Sequence, residues 1–353
     1  DTHYATQEML NANYTTSSGA YDYYRFKEGG RDEVFSGMYD HAKWLTLDCI
    51  KQVLVDIGLT DIRVMKDELQ RNGVEVKLGA SAKKVDAKGI ELSDGSVIEA
   101  ELVILAIGVR PESTLAKNAG LKIGTKGGIV VDQDNLTSDK NIYALGDAAE
   151  KTDELDESAM LVPLANIANR HGRVIADHIN GRNTRKVKTI GTAIVKVFDL
   201  AVAVTGWNEK RLKAAGIKHR AIHTHPGSHA GYYPGAETLS LKLLINPDNG
   251  EIFGAQGVGK DGIDKRIDVI ATAIRGGITA PELADLELAY APPFGSAKDP
   301  VNMLGYISEN IVSGLTRTAQ WHEIDQYRDS GYTLLDVRTP GECARGMIPG
   351  FIN

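Results

Sequence analysis

The sequence predicts an α/β region followed by an α+β region. Three observations predict it. ELVILAIG (101–108) is a continuous apolar run bounded by charge and glycine, as in a strand buried on both faces. Helix-period and strand-period segments alternate from 44 to 181. From 188 onward the apolar runs are short and hairpin-like, and two of them flank Asn246-Pro247-Asp248-Asn249-Gly250, a turn sequence.

The elements follow in order. Residues 1–26 are polar, tyrosine-rich and without a period. In 44–64, Thr46 is an N-cap, Leu47, Ile50, Val53, Leu54 and Ile57 share a helical face, Gly58 takes the C′ place, and a short strand follows. A helix at 67–73 and a strand at 74–79 continue the alternation, with strands at 101–108, 126–132 and 141–148. A helix opens at Pro163, with Leu164, Ile167, Ala168, His171, Val174, Ile175 and His178 on one stripe and Gly181 at its end. Strands at 192–198, 201–206, 239–245 and 251–256 and helices at 262–275 and 299–313 complete the pattern.

Composition narrows the function. At about 150 residues per domain, 353 residues allow two or three domains. Forty basic against 47 acidic residues give a net charge of −7, which argues against nucleic acid or a membrane surface as partner. The apolar stretch Leu102–Val109 is less than half a membrane span, and the N-terminal residues lack a signal-peptide pattern. Cys49 and Cys343 lie far apart without metal-type spacing, which predicts a reducing, cytoplasmic location. No internal repeat is visible.

IYALGDA (142–148) is the leading chemical candidate. A strand ending at Gly146 lets a ligand approach the backbone, and Asp147 can hold a sugar-like hydroxyl; a plain strand-to-loop turn would read the same. Its weight comes from company. ILAIGVRPE (104–112), GGIVVD (127–132), IYALGDA and VPLANIANRHGR (162–173) stand in the order and spacing of the flavin-dependent pyridine nucleotide–disulfide oxidoreductases. HPGSHAGYYPGA (225–236), VGKDGIDKRIDVIATAIR (258–275) and LELAYAPPFGSAKDPVNMLGY (286–306) resemble the dimerisation domain of that family's coenzyme A-disulfide reductase and NADH oxidase branch.

The resemblance implies FAD and NAD(P)H as cofactors, a homodimer, and a small disulfide substrate such as coenzyme A disulfide or polysulfide, with oxygen as another acceptor. It implies a Rossmann-like FAD/NAD(P)-binding region over 66–185 and a dimerisation domain over 186–314. Asp147 would hydrogen-bond the ribityl chain, with Gly146 giving close approach. The helix from Pro163, Leu164 and Ala165 would aim its positive end at the flavin. Gly108 would lie near the flavin–nicotinamide crossing. Tyr232, Tyr233 and Tyr290 would reach the partner's disulfide site, where a phenol can protonate a leaving thiolate; interface packing is the plainer role for each. Asn166-Ile167 stands where the family commonly has Gly-Pro.

The family's strand–GxGxxG–helix, the redox cysteine after it and the second glycine fingerprint are not found in this pattern. GAQGVG (254–259) reads as turn packing, and Cys49 as a small buried residue. DTHYA (1–5) and 41–64 resemble the C-terminal part of a class I S-adenosylmethionine-dependent methyltransferase. Residues 317–353 resemble the opening of a rhodanese-type sulfurtransferase domain, with Asp336 and Arg338 matching its first motif and Cys343 not the persulfide-forming residue. His223, His225 and His229 have no carboxylate ligand nearby and match a family without a metal there, so no metal site is expected. These readings predict a partial disulfide reductase, inactive by itself. The alternatives are a methyltransferase-derived protein and a non-catalytic dimerisation fragment.

Overall fold

The computed structural model describes residues 63–353 except 88, 105, 107, 186 and 187. Of the methyltransferase-like segment expected over 1–65, residues 1–62, with the helix expected there and Cys49, lie outside the described residues.

Helix α1 (Arg63–Arg71) opens the described chain. It begins four residues before the expected 67 and occupies the end of the expected short strand. Its period explains this: Met65 and Leu69, one turn apart, are both buried, and Met65 packs on Val202 and Val204. Residues 74–79, expected as a strand, are a loop. The strands are instead β1 (Ala82–Asp86), β2 (Gly89–Leu92) and β3 (Val97–Ile98), a three-stranded antiparallel meander. Its second turn is built by Asp94, whose carboxylate accepts from the Ser96 N–H at 2.9 Å, with Gly95 at positive φ.

The expected central strand 101–108 is not formed among its described residues. Leu102 and Ile104 are half exposed, and no described strand pairs with them. A strand buried on both faces needs a neighbour on each edge, and no described strand supplies either. Residues 126–132 and 141–148 likewise make only isolated bridges, Ile123 with Ile129, Ile129 with Ala149, and Leu136 with Tyr143. They close a small core of Ala116, from helix α2 (Thr114–Asn118), with Ile129, Ala144 and Ala149. Strands β4 (Lys151–Asp153), β5 (Ala159–Met160) and β6 (Lys188–Thr189) form a second small sheet, in which β4 and β6 run parallel. Helix α3 (Ala165–Ile179) starts two residues after Pro163, and Ile167, His171, Val174 and Ile175 are buried on the expected stripe.

From residue 193 the structure follows the expected α+β plan and adds to it a short helix and an edge strand, between 209 and 224, that were not expected. Strands β7 (Ala193–Val197), β8 (Leu200–Gly206), β9 (Arg220–Thr224), β10 (Ser240–Ile245) and β11 (Ile252–Gly259) form one antiparallel sheet in the order β7-β8-β11-β10-β9. Helix α4 (Glu209–Ala214) connects β8 to β9. Helices α5 (Ile263–Gly276) and α6 (Pro300–Val312) cover one face and carry the main core, in which Leu241, Leu243, Ile263, Ile267, Val301 and Leu304 are fully buried. The opposite face receives Met65 of α1 and the Trp207, Leu212 and Phe253 cluster. Asp299 caps α6 and Pro300 follows at its first turn, the pairing that starts a helix sharply. Gly305 lets α6 lie against the 3-10 turn Pro281–Asp285; a Cβ there would stand 2.1 Å from the Ala284 nitrogen.

Residues 317–353 form short helices α7 (Ile324–Asp329) and α8 (Pro340–Cys343) and one bridge, Leu335 with Ile352. Leu335, Val337, Met347 and Ile348 are exposed. Gln320 joins this segment to the sheet edge by donating to the Ala221 carbonyl at 2.9 Å.

Candidate active site

The expected cofactor residues fall into one assembled group and one outlier. Gly146, Asp147 and Ala148 form a single 3-10 turn, and Gly146 has φ of 71°, a conformation that favours glycine. The turn packs on the start of α3: a Cβ on Gly146 would lie 3.9 Å from Ala168 Cβ. Asn135, itself at positive φ, fixes the two pieces together. Its amide nitrogen donates to the Ala144 carbonyl at 3.1 Å and lies 3.0 Å from His171 Nδ1 on α3.

Leu164 is the N-cap of α3 and provides no side-chain cap. Its carbonyl accepts from Ile167 and Ala168, which leaves the Ala165 and Asn166 amides without a partner among the described residues. Pro163 and Leu164 lead into this uncapped positive end. A cavity of about 340 Å³ opens beside it, lined by Leu164, Ala165, Asn166, Ile194, Asp264 and Asp268. Asp147 is exposed at the turn. The Asp147 carboxylate can accept from ribityl hydroxyls and the Ala165 and Asn166 amides can donate to an electron-rich ring, a set that fits the ribityl and ring end of a flavin.

Gly108 stands apart. Its φ of 93° suits glycine, but it is exposed and ends no strand, so the expected place at the tip of a central strand is not realised.

The tyrosines are brought together. The loop carrying Tyr232 and Tyr233 is tied to the one carrying Tyr290 and Phe294 by the Ala230 N–H, which donates to the Gly295 carbonyl at 2.9 Å. The Tyr290 hydroxyl, interacting with that of Tyr232, raises the Tyr232 phenol above its ordinary value. Tyr233 meets His229 edge to face at 5.8 Å. All three tyrosines are exposed, and Phe294 beside them is 72 % exposed, so a large apolar surface faces outward. His225 contacts the Ser240 hydroxyl and His229 the Ala230 carbonyl, each at 3.1 Å. Among the described residues no three His, Cys, Asp or Glu side chains converge as metal ligands.

Sequence reading missed the residues behind these surfaces. Arg266 of α5, 1 % exposed, donates to the Ser228 carbonyl at 2.7 Å and to Asp299 at 3.0 Å, pinning both tyrosine loops to one helix. Lys151 lies behind the Gly146 turn and donates to the carbonyls of Gly146 and Ala149. The Asp299-Pro300 start of α6 was a readable signal; a buried arginine or lysine between backbone carbonyls leaves none.

Two family profiles match this chain. The profile for pyridine nucleotide-disulphide oxidoreductase covers residues 51–172, and that for the dimerisation domain of the same oxidoreductases covers 192–300. Over these two stretches the chain belongs to the pyridine nucleotide-disulphide oxidoreductase family. Members of this oxidoreductase family are enzymes that use FAD and NAD(P)H. The coenzyme A disulfide reductase of Staphylococcus aureus strain JH9 is 35 % identical over 279 residues, covering 78 % of this chain and 63 % of the relative. The crystal structure of reduced Bacillus anthracis CoADR-RHD shares 49 % identity with a TM-score of 0.79, over 82 % of this chain and 53 % of that one. A NAD-dependent persulfide reductase from A. fulgidus shares 36 % identity with a TM-score of 0.73 over the same proportions. The chain therefore spans less than two thirds of the length of these relatives. Its fold is the mixed α/β FAD/NAD-binding fold of these oxidoreductases, with their dimerisation domain. No described helix is long and apolar enough to cross a membrane.

Proposed function

We propose that this chain carries the flavin-facing and dimerisation parts of an FAD- and NAD(P)H-dependent disulfide reductase of the coenzyme A-disulfide reductase type, working as a cytoplasmic homodimer. The supporting observation is the packing of the Gly146–Asp147 turn against the uncapped start of α3, beside a cavity. In this reading Asp147 accepts from ribityl hydroxyls, and the Ala165 and Asn166 amides, led in by Pro163 and Leu164, face the electron-rich edge of the ring. Bound FAD supplies hydride acceptance from NAD(P)H and two-electron delivery to a disulfide. Tyr232, Tyr233 and Tyr290 face the partner subunit's disulfide site, where a phenol hydroxyl can donate to a leaving thiolate.

The substrate is a small disulfide of the coenzyme A type, in keeping with the names of the 35 % and 49 % identical relatives; the persulfide reductase at 36 % makes a polysulfide the second choice. Residues 317–353 are assigned to a rhodanese-like segment without sulfur transfer of its own, since Leu335 and Val337 stand exposed rather than packed in a sheet. Thiosulfate-to-cyanide transfer by the purified chain would refute that assignment.

The GxGxxG of this sequence, Gly257–Gly262, ends β11 in the antiparallel sheet of the dimerisation domain, where Gly257 and Gly259 pack against Leu241, Leu239 and Ile263 and open no pyrophosphate site, so flavin binding is expected to be weak and turnover undetectable for this chain by itself. The test is to titrate the purified chain with FAD, then follow nicotinamide absorbance with NADH and coenzyme A disulfide. Weak flavin binding lost in Asp147→Ala supports the site. Sustained turnover would overturn the incompetence, and binding unaffected by Asp147→Ala would overturn the site. A dimer that takes up no flavin would favour the non-catalytic fragment, and S-adenosylmethionine binding the methyltransferase-derived reading.

A further inference from the structure

Lys151 is a lysine inside the protein. It is the first residue of β4, only 3 % exposed, and four positions beyond Asp147. A buried ammonium is costly unless its hydrogens are taken up. Here Nζ donates to the Gly146 carbonyl and, at 2.9 Å, to the Ala149 carbonyl. These two carbonyls bracket Asp147 and Ala148. The turn is further closed by the Ala149 N–H donating to Gly146 at 3.3 Å and the Ile129 N–H donating to Ala148 at 2.7 Å. Burial pushes the Lys151 ammonium below its ordinary value, and the negative charge of Asp147 works against that shift, so the two side chains feel each other's charge. An apolar residue would fill the same space without a desolvation penalty, but it would leave both carbonyls without this donor.

We propose that Lys151 is the positioning residue for Asp147: its ammonium clamps the Gly146–Ala149 turn and so sets the angle at which the carboxylate meets a flavin's ribityl chain. The proposal rests on the flavin reading above. It differs from a general stabilising role because it concerns one part of the ligand. FAD and riboflavin carry the ribityl chain, whereas lumiflavin has the same ring system with a methyl group in its place.

The test uses the full chain as wild type, Lys151→Met, Lys151→Arg, Asp147→Ala and the Lys151→Met/Asp147→Ala double variant, titrated with FAD, riboflavin and lumiflavin by fluorescence quenching. Lys151→Met is expected to weaken FAD and riboflavin about tenfold and leave lumiflavin unchanged, with Lys151→Arg restoring most of the loss. The double variant is expected to bind no worse than Asp147→Ala alone, the signature of two residues acting through one contact. Equal weakening of all three flavins, additive losses, or wild-type binding by Lys151→Met would overturn the proposal. Hydrogen exchange without ligand gives a second readout. Lys151→Met should lose protection at 146–149 while β10 and β11 keep theirs, and Lys151→Arg should retain it. If the wild type binds none of the three flavins, the flavin reading fails, and exchange decides the clamp: unchanged protection in Lys151→Met refutes it.

Discussion

The Trp207 indole N–H donates to the Asp153 carboxylate at 3.0 Å, joining the small β4 sheet to the end of strand β8. Arg211 completes the junction, 2.7 Å from the same carboxylate oxygen and stacked over the indole at 3.8 Å. Asp153 is 1 % exposed, so its partners depend on it. Asp153→Ala strands a buried indole N–H and takes from Arg211 its short carboxylate partner, leaving Asp156 at 3.6 Å, and is expected to cost about 2–3 kcal/mol in urea unfolding. Asp153→Asn keeps an acceptor and should cost less. Equal losses for the two variants would show that the charge, not the hydrogen bond, matters.

Gly305→Ala sets two effects against each other. Alanine favours a helix interior by about 1 kcal/mol over glycine. The added Cβ would stand 2.1 Å from a backbone nitrogen that cannot rotate away. Forcing such an overlap costs typically about 1–3 kcal/mol and shifts backbone. Net destabilisation is therefore expected, read as a lower melting temperature; a rise would show that α6 and the 281–285 turn separate freely.

Acid should weaken the sheet through Glu209. Burial raises its carboxyl, but hydrogen bonds from Lys213 and Lys242, with their charges, outweigh that and hold it at about 2. A carboxylate with a depressed folded value adds stability above its unfolded value, near 4.5, and loses it as pH falls toward 2. Allowing for solvent screening, Glu209→Gln should cost about 1 kcal/mol at pH 7 and nothing near pH 2. A constant cost across that range would remove the ion pairs from the explanation.

The tyrosine surface should be covered by a second copy. Tyr232, Tyr290 and Phe294 are exposed together on the dimerisation domain. Sedimentation at micromolar concentration is expected to give a dimer, and Phe294→Glu to shift it toward monomer. A wild-type monomer would refute the assignment.

The dimerisation domain was legible because its signals are local. Asn246-Pro247-Asp248-Asn249-Gly250 marks the β10–β11 turn, closed by Asn246 N–H donating to Glu251 at 2.8 Å, and both long helices begin within one residue of their expected starts. The first half was less legible because its apolar runs need partners distant in sequence. Leu102 and Ile104 read as buried but have no described strand to pair with. At the site, Gly146, Asp147 and the start of α3 were visible as motif residues. Lys151 and Arg266 were not, because a charged side chain in a sequence looks solvated until the carbonyls around it are placed.

The strand order also dictates how this domain assembles. β9, β10 and β11 follow one another, so their pairing closes short loops. β8 reaches β11 only by bringing Gly206 to Gly254, across about 50 residues. Contact order therefore predicts that the local three-strand unit with α5 forms first and that the β7–β8 hairpin docks late. Until it docks, the edge of β11 stands open to pair with a foreign chain. That closure is the step at which refolding is expected to compete with aggregation, which refolding yield measured against protein concentration would show.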